Sequence, residues 1–221
     1  MLSIIIAESS LELIPKELQN AKVVISHAKR VNKEPSELLL DRTYHHFAMQ
    51  RLSYAHKRGR PDLVHITLLS ITSTPLYKEG LLNLYLHTID DKVIMLKNVR
   101  LPRNLYRFEG LMIDLFKKKR IVNNNMLIEY YEMSFGSLIS LLKPMHVIAL
   151  SRLGDLSSAD KIAMDYNDKD VAIVIGGFPK GHFSNEIIDN VNSIIAISKY
   201  HLDSHVVSSR IVYEFEKLLI R

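Results

Sequence analysis

The sequence predicts an α/β protein built on one largely parallel sheet. Three observations support this. The clearest strands are short apolar runs without polar alternation, the pattern of strands covered on both faces: Leu2 to Ala7, His146 to Ser151, Val171 to Ile175 and Ile194 to Ile197. From residue 127 onward strand and helix patterns alternate. Several strand exits carry glycine, serine or other polar residues, and an open α/β sheet binds its ligands outside the carboxyl ends of its strands. A chain of 221 residues, 47% hydrophobic against 24% charged, supports one substantial globular core with elaborations.

The first strand, Leu2 to Ala7, runs into Glu8-Ser9-Ser10. Leu11 to Leu18 reads as a short helix capped by Ser9 or Ser10, with Leu11, Ile14 and Leu18 on one face. After the apolar run Val23 to Ile25 and a basic loop, Pro35-Ser36-Glu37 opens a helix to about Arg51. Leu63 to Thr72 is continuous enough for a buried strand, but Pro61 and Asp62 at its start favour a helix. Leu81 to Thr88 and Val93 to Leu96, separated by Asp90-Asp91, form a β-hairpin. An amphipathic helix spans Leu105 to Phe116 and ends in the basic run Lys117 to Arg120. A short strand over Leu127 to Tyr131, a helix over Phe135 to Leu142 and the strand at His146 follow. Helices at Ser157 to Met164 and Asn185 to Asn192 flank Val171 to Ile175, and a last helix covers Ser204 to Leu219. We expect one domain over 1–221, elaborated by a hairpin–helix region at 78–120 and carrying its ligand-binding half in 127–221.

Composition excludes several chemistries. Without cysteine there are no disulfides, thiolate zinc sites or cysteine nucleophiles. Ten histidines show no His-Glu-x-x-His or comparable spacing, and no metal is expected. No apolar run reaches the ~18 residues of a membrane span. The start MLSIIIAES lacks a basic segment and reads as a strand, so a cytoplasmic protein is expected. The net charge of +5 is a moderate basic excess, weak evidence alone for an anionic partner.

Two stretches carry candidate chemistry. In Val171 to Phe183 a buried strand opens into a loop with Gly176, Gly177, Pro179 and Gly181. Its glycines permit positive φ or close backbone approach to a small molecule, and Phe178 and Phe183 offer apolar walls. It has neither the Lys–Ser/Thr pair of a P-loop nor dinucleotide-fingerprint spacing. The basic corner His56 to Asp62 and the arginines Arg100, Arg103 and Arg107 form the second stretch. With Arg60 they make a plausible track for a nucleic-acid backbone.

The motifs, taken in order, resemble the EMG/NEP family of ribosome-biogenesis pseudouridine N1-methyltransferases, in its archaeal form. They are Gly59-Arg60-Pro61-Asp62, Ser73-Thr74-Pro75-Leu76, Leu86-His87-Thr88, Arg100 to Arg107 with Phe108-Glu109-Gly110-Leu111-Met112, Ile175 to Phe183, and Ile197 to Leu202. The resemblance implies a SPOUT-type fold with a C-terminal deep trefoil knot, a homodimer, and S-adenosylmethionine as methyl donor, leaving S-adenosylhomocysteine. It places the cofactor among Leu150, Ser151, Gly154, Ile175, Gly176, Gly177, Gly181, Ile197, Ser198, Tyr200 and Leu202. The substrate it implies is a pseudouridine in a small-subunit rRNA hairpin, held by Arg60, Arg100, Arg103 and Arg107. Asp62, with Arg60, is then the catalytic candidate, either as proton acceptor for N1 or as a brace of the arginine corner. Ribosomal assembly proteins are possible further partners. A different reading of the same surface is an RNA-binding assembly factor whose methylation is secondary or absent.

Overall fold

The computed structural model describes residues 1–220. Its strands are β1 (Leu2–Ser9), β2 (Leu82–Thr88), β3 (Lys92–Lys97), β4 (Arg120–Asn123), β5 (Met126–Glu132), β6 (His146–Leu156), β7 (Val171–Gly176) and β8 (Ser193–Ala196). They form one sheet in the order β4-β5-β3-β2-β1-β7-β6-β8. Strands β2, β1, β7, β6 and β8 are parallel, and the hairpin strand β3 with β5 and β4 continues the sheet antiparallel. The hairpin is therefore built into the sheet through β1.

Nine α-helices accompany this sheet among the described residues: α1 (Lys22–Arg30), α2 (Arg42–Met49), α3 (Pro61–Thr72), α4 (Pro75–Lys78), α5 (Leu105–Lys118), α6 (Phe135–Leu142), α7 (Ala159–Tyr166), α8 (Asn185–Asp189) and α9 (Ser204–Leu219). β1 shows why the strands are apolar throughout. Its Ile4 and Ile6 join the core built with α3, α5 and α9, while Ile5 and Ala7 face the second core built with α6 and α8. Among the described residues, no helix is long and apolar enough to cross a membrane.

Helix ends follow local chemistry. Ser134 Oγ accepts from Ser137 N at 3.3 Å to start α6, and Lys143 in the left-handed region, with φ 48°, ends it. Asn104 caps α5 through Arg107 N at 3.2 Å, so this helix starts at Leu105 as expected, with Arg103 before it and Arg107 in its first turn. β4, in the basic run after α5, has no counterpart in the sequence reading, because only Ile121 and Val122 are apolar in it.

Two expected helices are corrected. Leu11 to Leu18 is mostly extended, with Leu13 bridging Leu39 and only a 3-10 turn at Lys16–Leu18. The backbone of Leu38 to Leu40 is engaged by the same pairing, Ile14 N to Leu38 O and Leu40 N to Glu12 O, both at 2.9 Å. That removes Leu38 to Leu40 from the helix expected over Pro35 to Arg51. Asp41 then caps α2 by accepting from Thr43 N at 2.7 Å. Ile14, Leu18, Leu38, Leu40 and Met49 are still buried together, in a small satellite core with α1.

That satellite core contains a titratable pair. His45 is fully buried, its Nδ1 accepting from Asp41 N at 3.0 Å and its Nε2 lying 2.9 Å from His27 Nδ1. Burial, reinforced by the His27 ring, pushes His45 down to about 4. The unfolded chain, with a histidine near 6.5, binds the proton more readily, so stability is full above that value and lost as pH falls toward 4. Urea unfolding is expected to lose about 2 kcal/mol from this site between pH 7 and 4.5, a loss absent in His45→Gln.

Candidate active site

β1, β7, β6 and β8 run parallel with aligned ends, Ile6 opposite Ile175 and Leu150 opposite both Ile175 and Ile195. Their exits therefore emerge at one edge. The register between β6 and β8 jumps from Leu150 to Asp155 against the same Ile195, so residues 151–154 loop out at the rim. Above these exits lies a solvent-open cavity of about 140 Å³.

Three loops and one helix wall it. The β6 exit contributes Leu150, Ser151 and Arg152, and the β7 exit Ile175, Gly176, Phe178, Gly181, His182 and Phe183. From the β8 exit come Ala196, Ile197, Ser198, Tyr200, His201 and Leu202, and α9 adds Ser204 and Val207. The start of α9 is tied over the β7 exit by Ser204 Oγ, which donates to Gly176 O. The lining thus combines apolar walls, such as Leu150, Ile175, Phe178, Leu202 and Val207, with backbone and hydroxyl groups between them. Apolar walls with a few polar groups are the usual make-up of a small-molecule site.

Of the sequence-proposed cofactor residues, nine meet in this cavity, and Gly154 and Gly177 stand outside its lining. Both glycines have packing reasons. A Cβ on Gly154 would overlap the Ile194 carbonyl and lie 2.6 Å from Ile195 N; one on Gly177 would lie 2.8 Å from Ser9 Cα and overlap its hydroxyl. Gly177 is also stitched to the β1 exit, its N donating to Ala7 O at 2.8 Å and its O accepting from Ser10 N at 2.9 Å. Lys180 is exposed and does not line the cavity. The proposed cofactor set omitted Arg152, His182, Ala196, His201, Ser204 and Val207. Arg152 follows directly on the proposed β6 exit and was legible there, whereas Ser204 and Val207 reach the cavity only because α9 folds back over β7.

The second stretch is a charged corner at the start of α3. Arg60 holds Asp62 with both ends of its fork, Nε to Oδ1 and Nη2 to Oδ2, each at 2.8 Å. Burial raises the Asp62 carboxyl, but the Arg60 hydrogen bonds and charge outweigh it and hold it below the usual carboxylate range. The charged form of Arg60 is favoured first by Asp62 and then, more weakly, by Asp41 and Asp203. Next to Arg60, Arg58 pairs with buried Glu12, Nε to Oε1 at 2.7 Å.

The other arginines are exposed. Arg100 and Arg103 line a shared cleft with Lys78, Asn98 and Asn125. Their segment is held along α3 by His65, whose Nε2 donates to Pro102 O at 2.7 Å while its ring stacks on Phe108 at 4.4 Å. Arg60 and Arg107 lie outside that cleft. Arg100, Arg103 and Arg107 take part in no ion pair among the described residues, in contrast to Arg58 and Arg60. They are free for an external anion.

Comparison with known proteins agrees with this geometry. Residues 4–216 match the model of a family described as EMG1/NEP1 methyltransferase. A Thermococcus sibiricus protein named ribosomal RNA small subunit methyltransferase Nep1 is 40% identical, over 100% of both chains. A Saccharolobus solfataricus protein of the same name is 38% identical over 95% of this chain and 94% of its own. The crystal structure of Archaeoglobus fulgidus Nep1 bound to S-adenosylhomocysteine superposes with a TM-score of 0.88 at 32% identity, covering 99% of each chain. With both the family model and full-length relatives matching, this chain belongs to the EMG1/NEP1 methyltransferase family.

Proposed function

We propose that this chain transfers a methyl group from S-adenosylmethionine to N1 of a pseudouridine in a small-subunit rRNA hairpin. The observation that carries the reading is the apolar-walled cavity at the aligned strand exits. The S-adenosylhomocysteine-bound relative and the rRNA methyltransferase names of the full-length relatives support the cofactor and the substrate class. An enzyme that works on rRNA is, in this reading, cytoplasmic.

In this reading residues 127–221 hold the cofactor and the arginines hold the RNA. Leu150, Ile175, Phe178 and Leu202 would wall the adenine, and the β8 exit at Ile197 and Ser198 would offer backbone donors. Bound S-adenosylmethionine supplies a methyl group on a sulfonium that needs no further activation. N1 of the base takes the methyl carbon, the C–S electron pair returns to sulfur, and the N1 proton leaves to a neighbouring acceptor or water. The chain's contribution is to hold N1 in line with the methyl group, and a target in a hairpin loop leaves its stack at small cost.

Asp62 is best read as a brace. A carboxylate held below its usual range, with both oxygens occupied by Arg60, is a weak base for a ring N–H. Asp62→Asn keeps one acceptor for Arg60 and is expected to lower kcat by no more than about tenfold, within the range of a lost orienting contact and well short of a lost base. A thousandfold fall in kcat would restore the proton-acceptor role.

The C-terminal knot belongs to the same proposal, supported by the four-residue excursion of β6 around the β8 pairing and by α9 packed over the β7 exit. So does a homodimer. Leu153, Leu156, Met164 and Tyr213 are 57–64% exposed, an apolar set on the end of β6, α7 and α9 that a second copy would cover.

The test is calorimetric titration of S-adenosylmethionine and S-adenosylhomocysteine, followed by turnover on a short rRNA hairpin. Saturable binding, with a methyl gained by mass only when the loop carries pseudouridine in place of uridine, is the expected result. Cofactor binding without transfer would favour an assembly factor, and no cofactor binding would overturn the reading of the cavity.

A further inference from the structure

On the side away from the cavity, the loop after β7 rests on a buried ion pair. Lys57 Nζ lies 2.7 Å from Glu8 Oε2, with the two residues 3% and 5% exposed. The other oxygen, Glu8 Oε1, accepts from Ser184 N at 3.2 Å, at the far end of the loop. The Lys57 ammonium sits 4.5 Å from the ring centre of Phe178, near the loop's start, a cation–π distance. Phe178 in turn meets Phe183 edge to face at 5.7 Å, and both rings line the cavity. Gly181, with φ +110°, passes so close to His56 that an added Cβ would lie 3.0 Å from its Nε2.

A buried pair of this kind is seldom the most stable choice. Desolvation of both charges offsets their attraction, and an apolar pair of similar volume is often as good or better. Here the chain also holds Glu8 in the left-handed region, at φ 50°, a conformation costly for a non-glycine residue. His87 Nδ1 accepts from Glu8 N at 3.4 Å and Lys57 O accepts from Ser10 Oγ, so both residues are fixed on their own backbones as well. The arrangement spends stability to hold two rings and one backbone N–H of a single loop.

We propose that Lys57 and Glu8 are positioning residues for the ligand cavity, anchoring the 177–184 loop so that Phe178 and Phe183 form its wall before the ligand arrives. This rests on the reading of that cavity as the cofactor site. Neither residue touches the cavity itself. Their action is conformational. If the loop without its anchor holds the binding shape about a tenth of the time, the apparent Kd rises about tenfold while the reaction in the filled site is unchanged.

The deciding variant is the double replacement Glu8→Leu with Lys57→Met, because Lys57→Met alone leaves a buried carboxylate unpaired and risks unfolding. In the folded double variant the Kd for S-adenosylhomocysteine and the KM for S-adenosylmethionine are both expected to rise about tenfold. The kcat at saturating cofactor should stay within about twofold, and hairpin affinity should not move. Glu8→Gln keeps an acceptor for Ser184 N and is expected to fall between the two. Wild-type cofactor affinity in the double variant would overturn the proposal, as would a parallel loss of cofactor affinity, hairpin affinity and melting temperature. Failure of the wild-type protein to bind S-adenosylhomocysteine would overturn the cavity reading itself, a result visible before any variant is made.

Discussion

Gly154→Ala is expected to remove most of the protein's stability. The added methyl would overlap the Ile194 carbonyl and sit 2.6 Å from Ile195 N, and both are backbone atoms of a paired strand that cannot turn aside. The only relief is to pull β8 away from β6, which breaks the pairs that close this end of the sheet. We expect a loss above about 4 kcal/mol in urea unfolding, in the range reserved for substitutions with no way to relax. Against a domain stability of about 5–15 kcal/mol, that leaves a marginal fold. Gly110→Ala is the control. It lies in α5 with nothing within 4 Å of the new Cβ, and should gain about 0.5–1 kcal/mol. A Gly154→Ala protein of wild-type stability would mean that β6 and β8 are not as tightly joined as the register implies. Because Ile197 and Ser198 leave directly from β8, a milder loss of stability would still be expected to reach the cavity.

Sequence patterns revealed those elements whose local and tertiary preferences agree. α6 and α9 have the expected bounds because a serine at 134 and the apolar spacing of 204–219 leave no competing structure. The β2–β3 hairpin was legible from two apolar runs around Asp90-Asp91. The two misread helices share one cause. Leu11, Ile14 and Leu18 have helical spacing and are indeed buried, but Pro15 interrupts the segment, and its backbone pairs with 38–40, a partner distant in sequence. Burial was right and conformation was wrong, since periodicity reports only which side chains turn inward. The candidate site divides the same way. Loop residues beside strand exits were readable, because parallel topology places exits together. Ser204 and Val207 were not, since only the return of α9 brings them there. Gly154 and Gly177 stood out as glycines, yet their surroundings are protein backbone and side chain, so small size alone did not distinguish packing from ligand approach.

Replacing Arg100 and Arg103 together by alanine is expected to weaken binding of the rRNA hairpin by about a hundredfold or more, at about 1.5–3 kcal/mol for each charged hydrogen bond lost. The pair is chosen on geometry. Arg60 is committed to Asp62 and Arg58 to Glu12, so their removal would free a carboxylate and disturb the start of α3 as well as any RNA contact. Arg100 and Arg103 carry no such partner, share one cleft, and sit on a segment whose position is set by His65 and Pro102 and not by their own side chains. Their loss should leave the melting temperature and the Kd for S-adenosylhomocysteine unchanged. It should also flatten the salt dependence of hairpin binding, the slope of log K against log salt falling by about 0.7–0.9 for each phosphate contact removed. Hairpin binding measured across a salt series separates the outcomes. A uniform drop with an unchanged slope would mean that the arginines act without touching phosphate. A matching loss of cofactor affinity would assign them to the fold. The expected pattern, a flatter slope with cofactor binding intact, would make the RNA track and the cavity physically separable halves of one site.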